Sequence, residues 1–291
     1  MSEWISINNE FVRKEDAKVS IYDRGFLFGD GVFEGIRAYS GNVFKLKEHI
    51  ERLYDSAKSI LLDIPYTREQ ITQIVVDTLH KNQLNTAYIR IIVSRGVGMG
   101  YSLDPFVCHA PQFIVITEAF EAFPSHLYDQ GLEIITVPTR RNRSDVLSPQ
   151  VKSLNYLNNI LVKAEAIVAG VNDGLMLNTE GYVVEGTTQN IFAVKNNEIM
   201  TPPCYLGALE GITRNSVIEL SERLGYITTE RTLTRHDLYT ADEVFFTGTA
   251  AEIIGVIKID GRLIGDGKPG VKTKLFFEEF KKIVVEDGVK I

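Results

Sequence analysis

The sequence predicts a two-domain chain of mixed α/β (α+β) class. Three observations predict it. At 291 residues, 44% hydrophobic and 24% charged, the chain can bury a sizeable core and divide into two domains. Apolar patterns of helical and of strand period recur along it, without an internal repeat or a low-complexity segment. Between residues 118 and 130 both periods lapse around Pro124. That lapse sets the expected division: a small first domain over 1–122, an interdomain loop over 123–131, and a larger second domain over 132–291.

Composition narrows the function classes. Net charge is −7, from 31 Lys and Arg against 38 Asp and Glu, and the only basic cluster is Arg140, Arg141 and Arg143. A nucleic-acid binder usually carries a basic face, so that class is disfavoured; the arginines suit a small anion or a salt-bridge network. Apolar runs such as Ile60–Leu62 and Ile89–Val93 are far too short to span a bilayer. Met1-Ser2-Glu3 leads straight into a strand pattern, so neither a signal peptide nor a transit sequence is expected. Cys108 and Cys204 stand far apart without metal-ligand spacing, and the five histidines form no cluster. A reduced, cytoplasmic setting and no metal site are the expectation.

Trp4–Ile7 and Phe11-Val12 flank Asn8-Asn9 and read as a hairpin. Asp23 to Arg37 interleaves four glycines with aromatics and reads as a tight loop entering a strand. Leu46, Ile50, Leu53, Ala57, Ile60 and Leu61 recur at helical spacing, with Arg52 beside that stripe and able to point inward. Thr67 with Gln70 forms a capping box before a second helix through Leu79. In the strand Ala87–Ser94, Ile89, Ile91 and Val93 share one face, and Tyr88, Arg90 and Ile92 the other. A charge in mid-strand is costly unless it is paired or faces a polar cavity, which leaves both readings open for Arg90. Phe113–Thr117 completes the first half.

The second half opens with a strand over Leu132–Val137. Short strands follow at 174–177, 182–185 and 190–194, with turns at Thr179–Gly181 and Asn196-Asn197. A helix enters at Leu209–Asn215, strands are expected at 227–229 and 244–247, Gly248–Glu252 is a small-residue turn, and a last helix spans about 271–285. Between the first of these strands and the rest, Lys152 precedes an apolar helix pattern of Leu157, Ile160, Leu161, Ala164 and Ala166 through Val168. Ser153 or Asn155 is suited to cap that helix. A lysine at a helix start, crowded by Arg140, Arg141 and Arg143, would have a lowered pKa and a nucleophilic amine. A solvated surface lysine is the plain alternative.

A site that forms an imine with an anionic cofactor needs a lysine, an anion cradle and a group that tunes the ring. Gly211-Ile212-Thr213 at a helix start offers free N–H groups and a hydroxyl, and Gly248-Thr249 offers the same again. Arg52 can add a bidentate charge. Glu185, at the end of an apolar strand, can keep a ring nitrogen protonated.

The chain resembles the class IV (fold-type IV) pyridoxal-phosphate aminotransferases, and among them the branched-chain amino acid aminotransferases. The resemblance spans nearly all of the chain and rests on seven segments in the family's order: Phe28–Tyr39, His49–Ala57, Ala87–Arg90, Lys152–Leu157, Glu185–Asn190, Gly211–Arg214 and Gly248–Glu252. It implies a small α+β first domain and a larger second domain with a pseudo-barrel. It implies pyridoxal 5'-phosphate as cofactor and a ping-pong transfer from L-leucine, L-isoleucine or L-valine to 2-oxoglutarate. Lys152 would be the catalytic, cofactor-linked lysine, Glu185 would meet the ring nitrogen, and Tyr156 the phenolic oxygen. Arg52, Ile212, Thr213, Gly248 and Thr249 would hold the phosphate. The Ala250 and Ala251 amides would take the substrate carboxylate, with Tyr88, Arg90 and Arg37 nearby, while Phe28, Phe33 and Gly35 shape the side-chain pocket. The loop Gly98–Tyr101 would reach a partner subunit's site, which implies a homodimer.

The partners implied are amino acids and 2-oxo acids, not nucleic acid or membrane. Phe28 replaces a tyrosine common in branched-chain enzymes, and Phe28–Val32 also occurs in D-amino acid transaminases and aminodeoxychorismate lyases. Val32–Arg37 and Ala87–Arg90 side with the L-branched-chain group. A binding protein that kept the fold without the chemistry is a further alternative.

Overall fold

Asn8 and Asn9 take φ of 52° and 65°, the left-handed pair that a two-residue hairpin turn needs. They join β1 (Trp4–Ile7) to β2 (Glu10–Arg13) in the computed structural model, which describes residues 3–108, 110–120 and 123–291. Met1, Ser2 and the expected boundary residue Ala122 lie outside the described residues.

The chain forms two units. The first comprises the residues through Phe120, Val151–Asn155 and Ile283–Ile291; the second comprises the rest. The lysine segment and the C-terminal strand thus group with the first unit although they follow residue 131 in sequence.

In the first unit, α1 (Arg24–Phe28) is followed by β3 (Gly31–Tyr39), β4 (Asn42–Phe44), α2 (Leu46–Ser59), α3 (Arg68–Lys81), β5 (Ala87–Ser94) and β6 (Gln112–Glu118). The sheet is antiparallel throughout, ordered from the C-terminal strand Gly288–Lys290 through β4, β3, β5, β6 and β1 to β2. The expected alternation holds: Ile89, Ile91 and Val93 are buried with Val32, Ile36 and Ala38 of β3 against Leu46, Ile50, Leu53, Ile71, Val75 and Leu79 of the two helices. The Thr67–Gln70 capping box forms as expected. One turn of helix, α1, replaces the loop expected after Asp23, because the Asp23 carboxylate accepts the Gly25 N–H at 2.7 Å and caps it.

The second unit runs from α4 (His126–Gln130) and β7 (Leu132–Thr136) through α5 (Leu157–Val168), β8 (Asp173–Leu177), β9 (Val183–Glu185), β10 (Asn190–Lys195), β11 (Glu198–Thr201), α6 (Ile212–Arg223) and β12 (Thr228–Glu230). It ends with α7 (Arg235–Tyr239), β13 (Glu243–Gly248), β14 (Glu252–Ile259), β15 (Arg262–Leu263) and α8 (Val271–Ile283). Strands β10, β13, β14, β7, β8 and β9 pair in that order, and β9 pairs back to β10, which closes a six-strand barrel. The closing contact is the single pair Asn190↔Glu185. Outside the ring, β11 and β12 extend the sheet from β10.

Three expectations for the lysine helix change. Its N-cap position is Tyr156, and no side chain caps it. Asn155 Nδ2 instead donates to the Gly29 carbonyl at 2.9 Å, and Ser153 Oγ accepts the Asn155 N–H at 3.3 Å. Lys152 is therefore not at the helix start but in an extended segment before it. The apolar stripe also faces outward: Leu157, Ile160 and Leu161 are 66%, 60% and 48% exposed, whereas Asn159, Val162 and Ala166 face the core. Asn159 is drawn inward because Arg141 and the Thr187 carbonyl satisfy its amide. Among the described residues, no helix is long and apolar enough to cross a membrane.

Candidate active site

In the first unit, Lys152 is fastened along the N-terminal half of β3. Its carbonyl accepts the Phe33 N–H at 2.9 Å, its own N–H donates to Ser56 Oγ at 3.1 Å, and the Leu154 N–H donates to Gly31 O at 2.9 Å. The backbone is thus held on both sides, and Nζ lies 4.7 Å from the Phe33 ring centroid.

On α2, His49, Arg52 and Ser56 stand at i, i+3 and i+7 and share a face. Ser56 takes the lysine backbone; the other two close on Glu34. Arg52 donates through Nε and Nη2 to the two Glu34 oxygens at 2.7 and 2.8 Å, and His49 Nδ1 lies 2.7 Å from Oε2. Glu34 is fully buried on the core face of β3. Burial alone would raise its pKa, but the Arg52 guanidinium and the His49 ring outweigh that and hold the carboxyl well below the usual range. Burial lowers the pKa of His49, with the Arg52 and Lys152 charges in the same direction, against the pull of Glu34. The outcome is an arginine fixed side-on by its Nε/Nη2 edge.

The opposite face of the sheet carries the expected pocket residues. Register places Gly35 opposite Arg90 and Arg37 opposite Tyr88. A Cβ at Gly35 would come within 2.2 Å of Tyr88 Oη, so glycine is what lets that ring cross the strand. Arg90 lies 4.5 Å from the Phe33 ring centroid and 5.5 Å from that of Tyr88, while Tyr88 packs on Phe120 with centroids 5.0 Å apart. Among the described residues no carboxylate pairs with Arg90, which is half-buried. Arg37 stacks on Tyr39 at 4.5 Å. Phe28, with Arg24 over its ring, is half-exposed, and Tyr101 is 75% exposed in a loop with Met99 and Leu103. Neither shares the burial of Phe33.

In the second unit, the barrel's closing pair is also its charged centre. Glu185 is buried; Arg141 Nη2 meets its Oε1 at 2.8 Å, and Asn190 Nδ2 and the Leu209 N–H donate to Oε2 at 3.3 and 3.1 Å. Arg141 pairs with Glu185 and Arg143 with Asp145, the salt-bridge use that composition left open for these arginines.

Helix α6 starts at Ile212 with Gly211 as N-cap, and no side chain caps its first turn. A Cβ on Gly211 would sit 2.0 Å from Asn190 Oδ1, so the cap position has no room for one. Thr213 is buried in that turn. Gly248 pairs with Glu252 and brackets the turn of Thr249, Ala250 and Ala251. The Ala251 carbonyl accepts from Tyr128 Oη at 3.3 Å, which anchors the turn. Tyr156 opens α5, its carbonyl accepting the Ile160 N–H at 3.0 Å.

Sequence reasoning gave no role to Glu34, His49, Asn159 or Asn190. The signal for Glu34 was present: it is an acid on the core face of an apolar strand, matched by Arg52 and His49 one helical turn apart.

Residues 31–259 match the model of the amino-transferase class IV family. The chain belongs to the class IV aminotransferases. Among its relatives in this family, a putative branched-chain-amino-acid aminotransferase of Methanocaldococcus jannaschii is 52% identical over 287 residues, 99% of this chain and 98% of that protein. The solved branched-chain amino acid aminotransferase of Escherichia coli superposes with a TM-score of 0.95 at 34% identity, over 99% of this chain and 97% of that one. That of Thermobaculum terrenum, solved in its pyridoxal-phosphate holo-form, gives 0.88 at 30% identity over 98% and 94%. The residue types present suit a phosphorylated, carbonyl-bearing pyridine: the first unit holds a lysine and a pinned arginine, and the second holds a buried carboxylate and a helix start that no side chain caps.

Proposed function

We propose that this class IV aminotransferase uses pyridoxal 5'-phosphate to move the amino group of L-leucine, L-isoleucine or L-valine to 2-oxoglutarate, as a cytoplasmic homodimer. The observation that carries the substrate reading is Arg90: a guanidinium without a carboxylate partner among the described residues, set between the Phe33 and Tyr88 rings. One surface then offers apolar contact to a branched side chain and a charge to the glutamate side-chain carboxylate. The branched-chain names of the relatives agree with it.

The cofactor, when bound, supplies a carbonyl that condenses with amines and a ring that accepts electrons. The roles of the chain's residues follow from their settings. Lys152 Nζ would hold the cofactor and, once released, would carry a proton from the substrate Cα to the cofactor's C4′ carbon, and from C4′ to Cα in the second half. Its fastened backbone limits where that amine can reach. Arg52, fixed by Glu34, would give its positive charge to the phosphate oxygens. The Ile212 N–H, the Thr213 hydroxyl and the turn at Gly248-Thr249 bind phosphate, with the α6 dipole favouring the anion. Glu185 accepts from the ring N–H, Tyr156 donates to the phenolic oxygen, and the Ala250 and Ala251 amides take the substrate carboxylate.

The homodimer is supported by apolar surface that needs cover: Leu157, Ile160 and Leu161 on α5, and Met99, Tyr101, Leu103 and Phe106 in the loop after β5. Steady-state transfer to 2-oxoglutarate tests the reading. L-leucine should be an efficient donor and D-alanine a poor one; the reverse order would overturn the substrate assignment.

A further inference from the structure

Glu185 is held from behind by an arginine that is itself tied down. The side chains of Glu185 and Arg141 are 6% and 7% exposed. Besides Nη2 on Glu185, Arg141 donates from Nε to the Gly207 carbonyl at 3.2 Å and from Nη1 to Asn159 Oδ1 at 3.0 Å. Asn159 completes the chain by donating to the Thr187 carbonyl at 2.6 Å, in the loop that follows Glu185. A buried carboxylate that loses its cation tends to take up a proton rather than remain charged. A protonated Glu185 could no longer accept from a ring N–H without competition from its own donor.

We propose that Arg141 is a positioning residue: fastened on three sides, it keeps Glu185 anionic and oriented for the cofactor's ring nitrogen. The inference rests on the reading of Glu185 given above and adds a second residue on which the electron-accepting ring depends. Arg141 does not touch cofactor or substrate in this account. Its effect must pass through Glu185, which makes the two substitutions non-additive.

The test measures dissociation constants for pyridoxal phosphate and for its 1-deaza analogue, in which CH replaces the ring nitrogen. The proteins are wild type, Arg141→Met, Glu185→Gln and the double variant. Arg141→Met should weaken pyridoxal phosphate by roughly tenfold or more and the analogue by less than about twofold. In the Glu185→Gln background the same change should cost less than about twofold for either compound. Equal losses for both compounds, or equal losses in both backgrounds, would mean that Arg141 only supports the fold, and the proposal would fall.

Arg141→Lys, which keeps a charge but not the fork, should lose a smaller part of the preference for pyridoxal phosphate; it decides the matter if the Met variant does not fold. No loss in it would overturn the need for a fastened guanidinium. Wild-type protein that binds both compounds equally would instead overturn the role of Glu185 itself, and wild-type protein that binds neither would overturn the cofactor reading.

Discussion

Replacing Glu34 with glutamine probes the charge centre that fixes Arg52. Glu34 is fully buried and makes three contacts of 2.7–2.8 Å with Arg52 and His49. Glutamine keeps the shape but loses the charge, and its NH2 must face either an arginine N–H or the histidine nitrogen. Breaking a buried pair from one side costs about 3–5 kcal/mol, because the remaining charge is left without its partner. For a unit of this size that lowers the melting temperature by roughly 10 °C. The pH dependence has a definite sign. Glu34 is depressed in the folded protein, so its stabilisation is present above the ordinary value of 4.5 and is lost as pH falls toward the folded value. The gap between wild type and Glu34→Gln should therefore be constant from pH 6 to 8. Below the ordinary value it should narrow by about 1.4 kcal/mol per pH unit. Calorimetry or fluorescence melts of the two proteins across that range measure it. A loss under about 1 kcal/mol at neutral pH, or a gap that widens in acid, would refute the reasoning.

Two further substitutions test the pocket and the phosphate cradle. Arg90→Gln should raise the KM for L-glutamate and 2-oxoglutarate about 10- to 100-fold, since a charge-assisted contact is removed, while the half-reaction with L-leucine changes much less; steady-state kinetics with each donor would show an equal effect on both if Arg90 were only structural. Gly211→Ala places a Cβ 2.0 Å from Asn190 Oδ1, at an ordinary φ of −75°, so the effect is steric; it should cost about 1–3 kcal/mol and weaken pyridoxal phosphate, as read by thermal melts and cofactor titration.

The parts of the fold that the sequence announces are those whose signals are local. The Asn8-Asn9 turn, the Thr67–Gln70 box and the alternation through Ile89, Ile91 and Val93 each depend on neighbours a few residues away, and each forms as expected. Strand β14 was not anticipated. Its run Ile253–Ile259 is interrupted by Gly255, whose position is set by a distant contact, a Cβ there meeting Pro269 at 2.8 Å. The lysine helix misled for a related reason. Its apolar stripe predicts a buried face, but Asn159 takes that place because Arg141, eighteen residues back, satisfies it. For the site, residue types and motif order pointed to the lysine, the arginines and the glutamate. The ion pairs that fix Arg52 and Glu185 came only from the structure, because each joins residues whose adjacency the chain order hides.

The most direct test of the central claim is the visible absorbance of the purified protein, wild type beside Lys152→Ala, incubated with pyridoxal phosphate and then given L-leucine. Wild type should be yellow and bleach toward the amino form of the cofactor on adding L-leucine, and Lys152→Ala should show neither the wild-type band nor turnover. A wild-type protein that stays colourless, or a Lys152→Ala variant that still carries out the transfer, would contradict the account.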